Sequence, residues 1–326
     1  MAYSTIILSG MKHSIREHSM LLKNPLAVIM CMAALVRPAA CSAATFQDAL
    51  GREVSLAKEP VRIVALAPNL TEILYYLGLG DRVAGVADHS SYPPEAQGKS
   101  RVGPYVNVCV EKIIGLSPDL VIGTKDGNSR SDVELLEQAG IPVFIVNPRS
   151  VQEVIDTVAS IGQVCGITVK AATLAAGLQR RFEAVRSAIQ YRGKSLVFLQ
   201  INIVPVMTVN RTTLHDDVIR LAGGVNMASD DPVTYPRISV EEVIRRGPDV
   251  IIISSMERGA RFDEARKAWM QWPSIPAVKN NRVHVIDSDL IDRPSPRIID
   301  GLEALARMIH PEVAWDGGTR QPPAEK

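Results

Sequence analysis

Residues 111–122 read E-K-I-I-G-L-S-P-D-L-V-I, and residues 241–252 read E-E-V-I-R-R-G-P-D-V-I-I. In each stretch a short helical segment with a leading glutamate ends before a proline, which cannot continue a helix. Pro-Asp then leads into an unbroken apolar run, which is typical of a parallel strand covered on both faces. The copies lie 130 residues apart (241 − 111), which is too far for a solenoid repeat and suits two domains in tandem. The repeat therefore predicts two α/β lobes in one chain.

The rest of the chain alternates apolar strand-like runs with helical segments, which favours mainly parallel sheets in both halves. We therefore predict an α/β fold of two Rossmann-like lobes. The predicted segments are a leader, an N-terminal lobe, a helical region, a C-terminal lobe and a disordered tail, at residues 1–44, 45–150, 151–193, 194–311 and 312–326.

The helical region contains one long segment, residues 170–190, that is rich in alanine and free of proline. Its helix propensity is high, and a helix of that length would cover about 30 Å. Because the two repeats lie on either side of it, we expect it to join the lobes as a rigid strut. The alternative is that it packs on one lobe only.

The N-terminus carries the apolar run P-L-A-V-I-M-C-M-A-A-L-V at residues 25–36. This run is too short to span a bilayer and fits the apolar core of a secretory leader. Cleavage is expected after Ala43 or Ala44, and Met20 is the expected true start. Cys41 follows a weak version of a lipoprotein cleavage box, so the exported protein is either soluble or lipid-anchored there. A buried N-terminal helix is the alternative.

Composition and motifs give no support for catalysis. The chain has 326 residues and a formal net charge of +1, so charge does not indicate nucleic-acid binding. Phosphate-loop, nucleophile-elbow and zinc-protease motifs are absent from the sequence, and the histidines lack zinc-site spacing. Cys109 and Cys165 can form a bridge in an oxidising compartment or remain free thiols. A binding protein is expected; an exported α/β enzyme acting on a small molecule is the alternative.

Polar and aromatic residues collect in loops that follow or neighbour the predicted strands of both lobes. In open α/β sheets, ligands bind outside the carboxyl ends of the strands. Taken alone, each tyrosine here fits the core or its rim, and the histidine fits a solvated loop. Their shared placement predicts a cleft between the lobes. The candidate residues are His89, Tyr92, Tyr105, Thr124, Tyr235 and 289–293.

Four stretches, at residues 62–78, 91–97, 111–122 and 288–299, resemble the binding proteins for iron complexes and cobalamin that serve ABC importers. The resemblance covers residues 46–309 and is closest to the cobalamin-binding members. It implies the class III periplasmic binding protein fold, in which one long helix joins two lobes that close little. It also implies a periplasmic monomer without catalysis, nucleic-acid binding or an intrinsic cofactor, which delivers a corrinoid to a permease dimer with its ATPase.

The resemblance gives Glu111 and Glu241 a role in docking, because the family's paired glutamates engage arginines on the two permease subunits. Two acidic residues on equivalent helices match a two-fold symmetric partner, and complementary charge fixes orientation. The alternative is that each glutamate only stabilises the start of its own helix.

The family's ligand contacts map onto the candidate cleft residues, with cobalamin as the expected transported ligand. Asp289 and Arg293 match the family pattern and could bond to amide side chains of a corrin, with Leu290, Ile291 and Asp292 between them. Family aromatic residues are replaced at four positions, by His89, Tyr105, Thr124 and Tyr235. Haem or a ferric siderophore is therefore an alternative ligand, with Arg293 and Arg297 facing an anion. No metal site is expected, although His89 could ligate the metal of a bound cofactor.

Overall fold

The computed structural model describes residues 44–254 and 261–315. All of the predicted leader except Ala44 lies outside the described residues, and so do positions 316–326 of the predicted tail. No helix in these described ranges combines the length and apolar character that a membrane crossing requires.

The N-terminal lobe is built on a five-stranded parallel sheet in the order β5-β4-β3-β6-β7. Its strands are β3 (Ile63–Ala65), β4 (Val83–Val86), β5 (Ser100–Arg101), β6 (Leu120–Thr124) and β7 (Val143–Val146). The helices between them are α1 (Pro68–Tyr76), α2 (Val110–Gly115) and α3 (Arg130–Gln138), with short 3-10 turns at Gly80–Arg82 and Pro94–Gly98. All residues of β6 and β7 are buried, as expected for parallel strands covered on both faces.

A two-stranded hairpin precedes this lobe, with strands β1 (Ala44–Gln47) and β2 (Glu53–Leu56). Asp48 forms its turn, because one carboxylate oxygen accepts the amides of Leu50 and Arg52 at 2.9 and 3.0 Å. The amide of Ala49 donates to the carbonyl of Ile145 in β7 at 2.9 Å. The hairpin is therefore attached to the edge of the large sheet.

The C-terminal lobe has a four-stranded parallel sheet in the order β11-β10-β8-β9. Its strands are β8 (Ser195–Gln200), β9 (Gly224–Asn226), β10 (Val250–Ile253) and β11 (Val283–Val285). Its helices are α6 (Leu214–Leu221), α7 (Val240–Arg246), α8 (Arg261–Met270), α9 (Pro276–Lys279), α10 (Ser288–Ile291) and α11 (Ile298–Ile309). The predicted α/β fold with two mainly parallel sheets is confirmed.

Two helices connect the lobes: α4 (Val151–Val164) and the 22-residue α5 (Thr168–Ile189). They meet where Gly162 lies against Ala171 without room for a Cβ atom. Arg181 of α5 pairs with Asp300 and Glu303 of α11 at 2.5 and 2.9 Å. The long helix therefore packs on α4 and on the C-terminal lobe, and one apolar core runs through all three regions. The predicted strut is confirmed.

Each copy of the repeat contains an aspartate, directly after its proline, that holds the start of its lobe's first strand. Asp119 accepts the amides of Val61 and Arg62 at 3.0 and 2.8 Å, beside β3. Asp249 accepts the amide of Leu196 in β8 at 2.8 Å. In both lobes, therefore, the aspartate of the Pro-Asp pair fixes the start of the first strand of the sheet.

Burial and contacts decide two of the predictions: the state of the two cysteines and the start of the disordered tail. Cys165 is fully buried, Cys109 is partly exposed and both are free thiols, so they are not bridged.

The chain continues in contact with the protein past residue 311, because Val313 is buried and the Trp315 indole donates to the carbonyl of His310 at 3.2 Å. The prediction that disorder begins at residue 312 is therefore wrong for residues 312–315.

Candidate functional site

The carboxyl ends of the N-terminal strands are joined by Asn128, which follows β6. Its amide nitrogen donates to the carbonyls of Leu66 and Tyr105 at 3.1 and 2.7 Å. Its oxygen accepts the amide of Thr124 at 2.7 Å. One side chain thus fixes the loops after β3 and β6 and the segment that carries Tyr105. The Tyr105 ring lies on Gly127, where no Cβ atom would fit.

The loop after β4 carries His89 and Tyr92 on its exposed surface. Its base is anchored, because Ser90 is buried and its hydroxyl accepts from Thr71 of α1 at 3.2 Å. Arg101 donates to the Ser90 carbonyl at 3.0 Å. His89 has a φ of 61°, which is uncommon for a residue other than glycine. The imidazole is therefore held out towards solvent at the edge of the sheet where we predicted the cleft.

The two lobes are joined at this edge by Glu72, a buried residue of α1. Its carboxylate accepts from Arg293 at 3.0 Å, from Ser295 at 2.6 Å and from Arg297 at 3.0 and 3.1 Å. All three donors belong to the C-terminal lobe. Charge-assisted hydrogen bonds of this kind are the strong ones, and breaking a buried set is costly. We call Glu72, Asp289, Arg293, Ser295 and Arg297 the inter-lobe ion cluster.

Both arginines of the inter-lobe ion cluster have acidic partners from each lobe. Asp289 lies 3.1 Å from Arg293 and 3.4 Å from Arg297, so two guanidinium groups meet two carboxylates. Burial lowers the pKa of Arg297, but the hydrogen bonds and charges of Glu72 and Asp289 outweigh it and raise that pKa overall. The Arg297 guanidinium also lies 4.0 Å from the centre of the Tyr92 ring, within range of a cation–π contact. The charges of the cluster therefore balance within the protein.

The segment 289–293 divides between the cleft and the core. Asp289 and Arg293 are in the inter-lobe ion cluster, and Leu290 packs partly buried on the apolar core. Ile291 has no exposed surface, so no ligand can touch it in this conformation. The expectation that Ile291 contacts a ligand is corrected: it is a core residue that holds α10 against the lobe. The Oδ1 atom of Asp292 lies 2.9 Å from Nε2 of His215, in helix α6 of the C-terminal lobe.

Tyr235 occupies the C-terminal lobe's counterpart of the Tyr105 position. It lies in an extended loop in which the carbonyls of Thr234 and Pro236 accept the amides of Asn210 and Thr208, both at 3.0 Å. Its exposed fraction is 49%, close to the 42% of Tyr105. Thr124, by contrast, is buried, so it can offer only a small surface.

The equivalence of the two tyrosines has a sequence signal that the twelve-residue repeat misses. Tyr235 and Tyr105 are also 130 positions apart (235 − 105). The repeat therefore extends over 105–122 and 235–252, and each copy begins with an exposed tyrosine. Glu72 has no comparable signal, because its partners lie more than 220 positions away in the chain.

The two predicted docking glutamates lie in the first turns of equivalent helices, and both are exposed. Glu241 is followed by Glu242, which pairs with Arg245 and Arg246, both at 2.6 Å. Hydrogen bonds from those arginines lower the pKa of Glu242 to about 2. Since Glu242 neutralises the neighbouring arginines, Glu241 keeps its charge available to a partner. Glu111 is followed by Lys112, so the two copies differ in local charge.

Comparison with known proteins gives the family. Residues 63–290 match the periplasmic binding protein family. The chain belongs to that family. It is 33% identical over 251 residues to the vitamin B12-binding protein of Vibrio parahaemolyticus, with 76% of this chain and 90% of that protein covered. It is 34% identical over 276 residues to the ABC transporter substrate-binding lipoprotein YvrC of Bacillus subtilis, with 82% and 86% covered.

Solved structures of periplasmic binding proteins share the fold. The vitamin B12-binding protein BtuF of Vibrio cholerae aligns with a TM-score of 0.68 and 29% identity, covering 77% of this chain and 97% of that one. The haem-binding protein RhuT of Roseiflexus aligns with a TM-score of 0.67 and 26% identity, covering 77% and 98%. The predicted class III fold is confirmed, and these relatives are binding proteins rather than enzymes. Within the described residues, no group of three or more His, Cys, Asp or Glu side chains could hold a metal ion.

Proposed function

We propose that this protein is the substrate-binding component of an ABC importer and that it captures cobalamin between its lobes. The observation that carries the ligand assignment is the charge balance of the inter-lobe ion cluster. Arg293 and Arg297, the two cations of the predicted site, are already paired with Glu72 and Asp289.

This charge balance favours a ligand that presents uncharged polar groups to the inter-lobe ion cluster. An anionic ligand would have to compete with Glu72 and Asp289 for the same guanidinium groups and would weaken charge pairs that are largely buried, which is costly. The corrin ring of cobalamin bears amide side chains, which can bond to paired groups without displacing them. Haem bears carboxylates, which compete with Glu72. The similarity to vitamin B12-binding proteins supports the same choice.

The proposed ligand contacts come from both lobes. A large flat macrocycle is held by apolar and aromatic walls with a few placed polar groups. Tyr105 and Tyr235 are proposed as the two walls, since they are similarly exposed and related by the repeat. The remaining proposed contacts are His89, Tyr92, Thr124, Asp289, Leu290, Asp292 and Arg293.

Delivery is proposed to use Glu111 and Glu241 as the contacts with the two subunits of a permease dimer that works with an ATPase. Their exposure on equivalent helices supports this role, because a two-fold symmetric partner presents the same surface twice. The protein is proposed to act as an exported monomer, either free in the periplasm or anchored through Cys41. The named lipoprotein among its relatives supports the anchored form.

Haem is the second candidate ligand, and the observation that favours it is the exposed imidazole of His89. A neutral imidazole is a good ligand for iron and for cobalt. The two candidates are separated by incubating the purified protein with equimolar cyanocobalamin and hemin, removing free ligand by gel filtration and recording the visible spectrum. We expect the corrinoid spectrum. A retained haem spectrum alone would assign the site to haem.

A further inference from the structure

His215 lies in the first turn of α6 and contacts residues 289–293, the segment proposed to bind the ligand. Its Nε2 atom is 2.9 Å from Oδ1 of Asp292, the residue that ends α10 and precedes Arg293. The hydroxyl of Ser254, at the end of β10, donates to the same oxygen at 3.3 Å. Two elements of the C-terminal lobe, α6 and β10, therefore converge on one carboxylate oxygen of the segment that faces the other lobe.

The helix that carries His215 is capped, and the groups around its side chain are buried. Thr213 caps α6, with its hydroxyl accepting the Asp216 amide at 3.3 Å. Ser254 is fully buried. Only 11% of the His215 side chain and 14% of the Asp292 side chain are exposed. A hydrogen bond to a carboxylate in such a place is stronger than one at the surface, because the surroundings screen it less.

The geometry also assigns the proton of His215. A carboxylate only accepts hydrogen bonds, so Nε2 must carry the hydrogen that it shares with Asp292. The other ring nitrogen, Nδ1, is buried and has no hydrogen-bond partner among the described residues. His215 therefore donates from Nε2 to the Asp292 carboxylate.

We infer that His215 is a positioning residue for ligand recognition: with Ser254 it holds Oδ1 of Asp292, so that Oδ2 is presented to an amide N–H group of the ligand. Both side-chain hydrogen bonds that Asp292 accepts within the described part of the chain end on Oδ1, and the inference assigns Oδ2 to the ligand donor. The same clamp fixes the backbone that leads into Arg293 and the inter-lobe ion cluster. A negatively charged acceptor suits an amide-bearing ligand and repels a carboxylate. The ligand part of this inference rests on the proposed function.

The binding experiment compares three variants by calorimetric titration with cyanocobalamin. His215→Leu removes the donor, and we expect the affinity to fall by about tenfold. His215→Gln keeps an N–H donor in nearly the same place and should bind within about threefold of the unmodified protein. His284→Leu is the matched control, since it replaces a partly buried histidine of the same lobe and should leave the affinity unchanged. Equal losses in His215→Leu and His215→Gln would overturn the positioning role.

A double-mutant cycle shows whether His215 acts through Asp292. In an Asp292→Ala background the carboxylate is absent, so His215→Leu should have no further effect on cyanocobalamin affinity. If the two losses add, His215 acts by another route and the inference fails.

Hydrogen exchange of the ligand-free protein keeps this test separate from the choice of ligand. The Asp292 amide donates to the Ser288 carbonyl at 2.8 Å, and we expect it to exchange about tenfold faster in His215→Leu but not in His215→Gln. If the unmodified protein binds no cyanocobalamin, the proposed function fails, and the exchange rates still decide the positioning role. Unchanged exchange in His215→Leu would contradict it.

Discussion

Helices α2 and α7 are copies of one pattern, but the side chains that cap their starts and follow their ends differ. The N-terminal copy starts at Cys109, whose side chain makes no capping hydrogen bond, and the C-terminal copy starts at Ser239, whose hydroxyl accepts the Glu242 amide at 3.2 Å. Past their ends, Ser117 and Gly247 both adopt the left-handed conformation, with φ of 47° and 58°. The backbone geometry is the same while the side chains differ. The chain path is thus what the repeat maintains, and each copy has its own local stability.

The largest expected effect is on uptake, and it comes from the exposed glutamates of the two repeat copies. Reversing both charges, with Glu111→Arg and Glu241→Arg, should abolish uptake of cobalamin by cells, because each subunit of the permease would meet a like charge. Ligand binding by the purified double variant should be unchanged, as both side chains are exposed and lie on helix surfaces. Uptake of radiolabelled cyanocobalamin and calorimetry provide the two readouts.

The two single reversals, Glu111→Arg and Glu241→Arg, should lower uptake equally, because a two-fold symmetric partner presents the same surface to each glutamate. If either reversal removed ligand binding, the glutamates would belong to the ligand site and the docking role would be wrong.

The aspartates of the two copies are expected to matter about equally for stability. Asp119→Ala removes the acceptor of the Val61 and Arg62 amides, and Asp249→Ala removes that of the Leu196 amide. Each substitution should lower the free energy of unfolding by about 2 kcal/mol. Urea unfolding followed by circular dichroism measures this, with Asp126→Ala, in an exposed loop, as control. A large loss in one variant and none in the other would show that the copies differ in more than their caps.

The left-handed residues should respond in opposite directions. Ser117→Gly relieves a backbone conformation that a side chain disfavours, so it should stabilise the protein by up to about 1 kcal/mol. Gly247→Ala should destabilise it by about 1 kcal/mol, although a Cβ atom there meets nothing closer than 3.5 Å. Thermal unfolding of the two variants tests this pair. A stabilising Gly247→Ala would contradict the assigned backbone conformation.

Exchange of the caps should give the smallest change in stability. Cys109→Ser gives α2 the hydroxyl that α7 already has and should add about 0.5–1 kcal/mol. Ser239→Ala should remove a similar amount. Urea unfolding of both variants checks whether the cap explains the difference between the helices, and an unaltered midpoint for Cys109→Ser would exclude it.

The residue after the docking glutamate differs between the copies, and the ion pairs of Glu242 can be detected by acid titration. Arg245 and Arg246 lower the pKa of Glu242 to about 2 from an ordinary value of 4.5. A lowered pKa in the folded state means that the interaction stabilises the protein above about pH 4.5 and is lost as the pH falls towards 2. Carboxyl NMR should show Glu242 titrating near pH 2, and a midpoint near 4.5 would show that the pairs are absent in solution.

The parts of the fold that depend on local pattern could be predicted from the sequence. The Pro-Asp steps, the apolar strands and the proline-free helix each leave a signal within about twenty residues. The inter-lobe ion cluster leaves none, since Glu72 meets Arg297 only after the whole chain has folded. The face of a four-residue helix is equally hidden, and this explains why Ile291 was expected in the cleft and lies in the core.

The balanced charges between the lobes are proposed to select a macrocycle that bears amides rather than carboxylates at its edge. Calorimetric titration of the unmodified protein with cyanocobalamin tests it most directly, with a second titration in the presence of excess hemin. We expect one cyanocobalamin to bind per chain, with an affinity that hemin does not reduce. Saturable binding of hemin, without heat from cyanocobalamin, would contradict the claim.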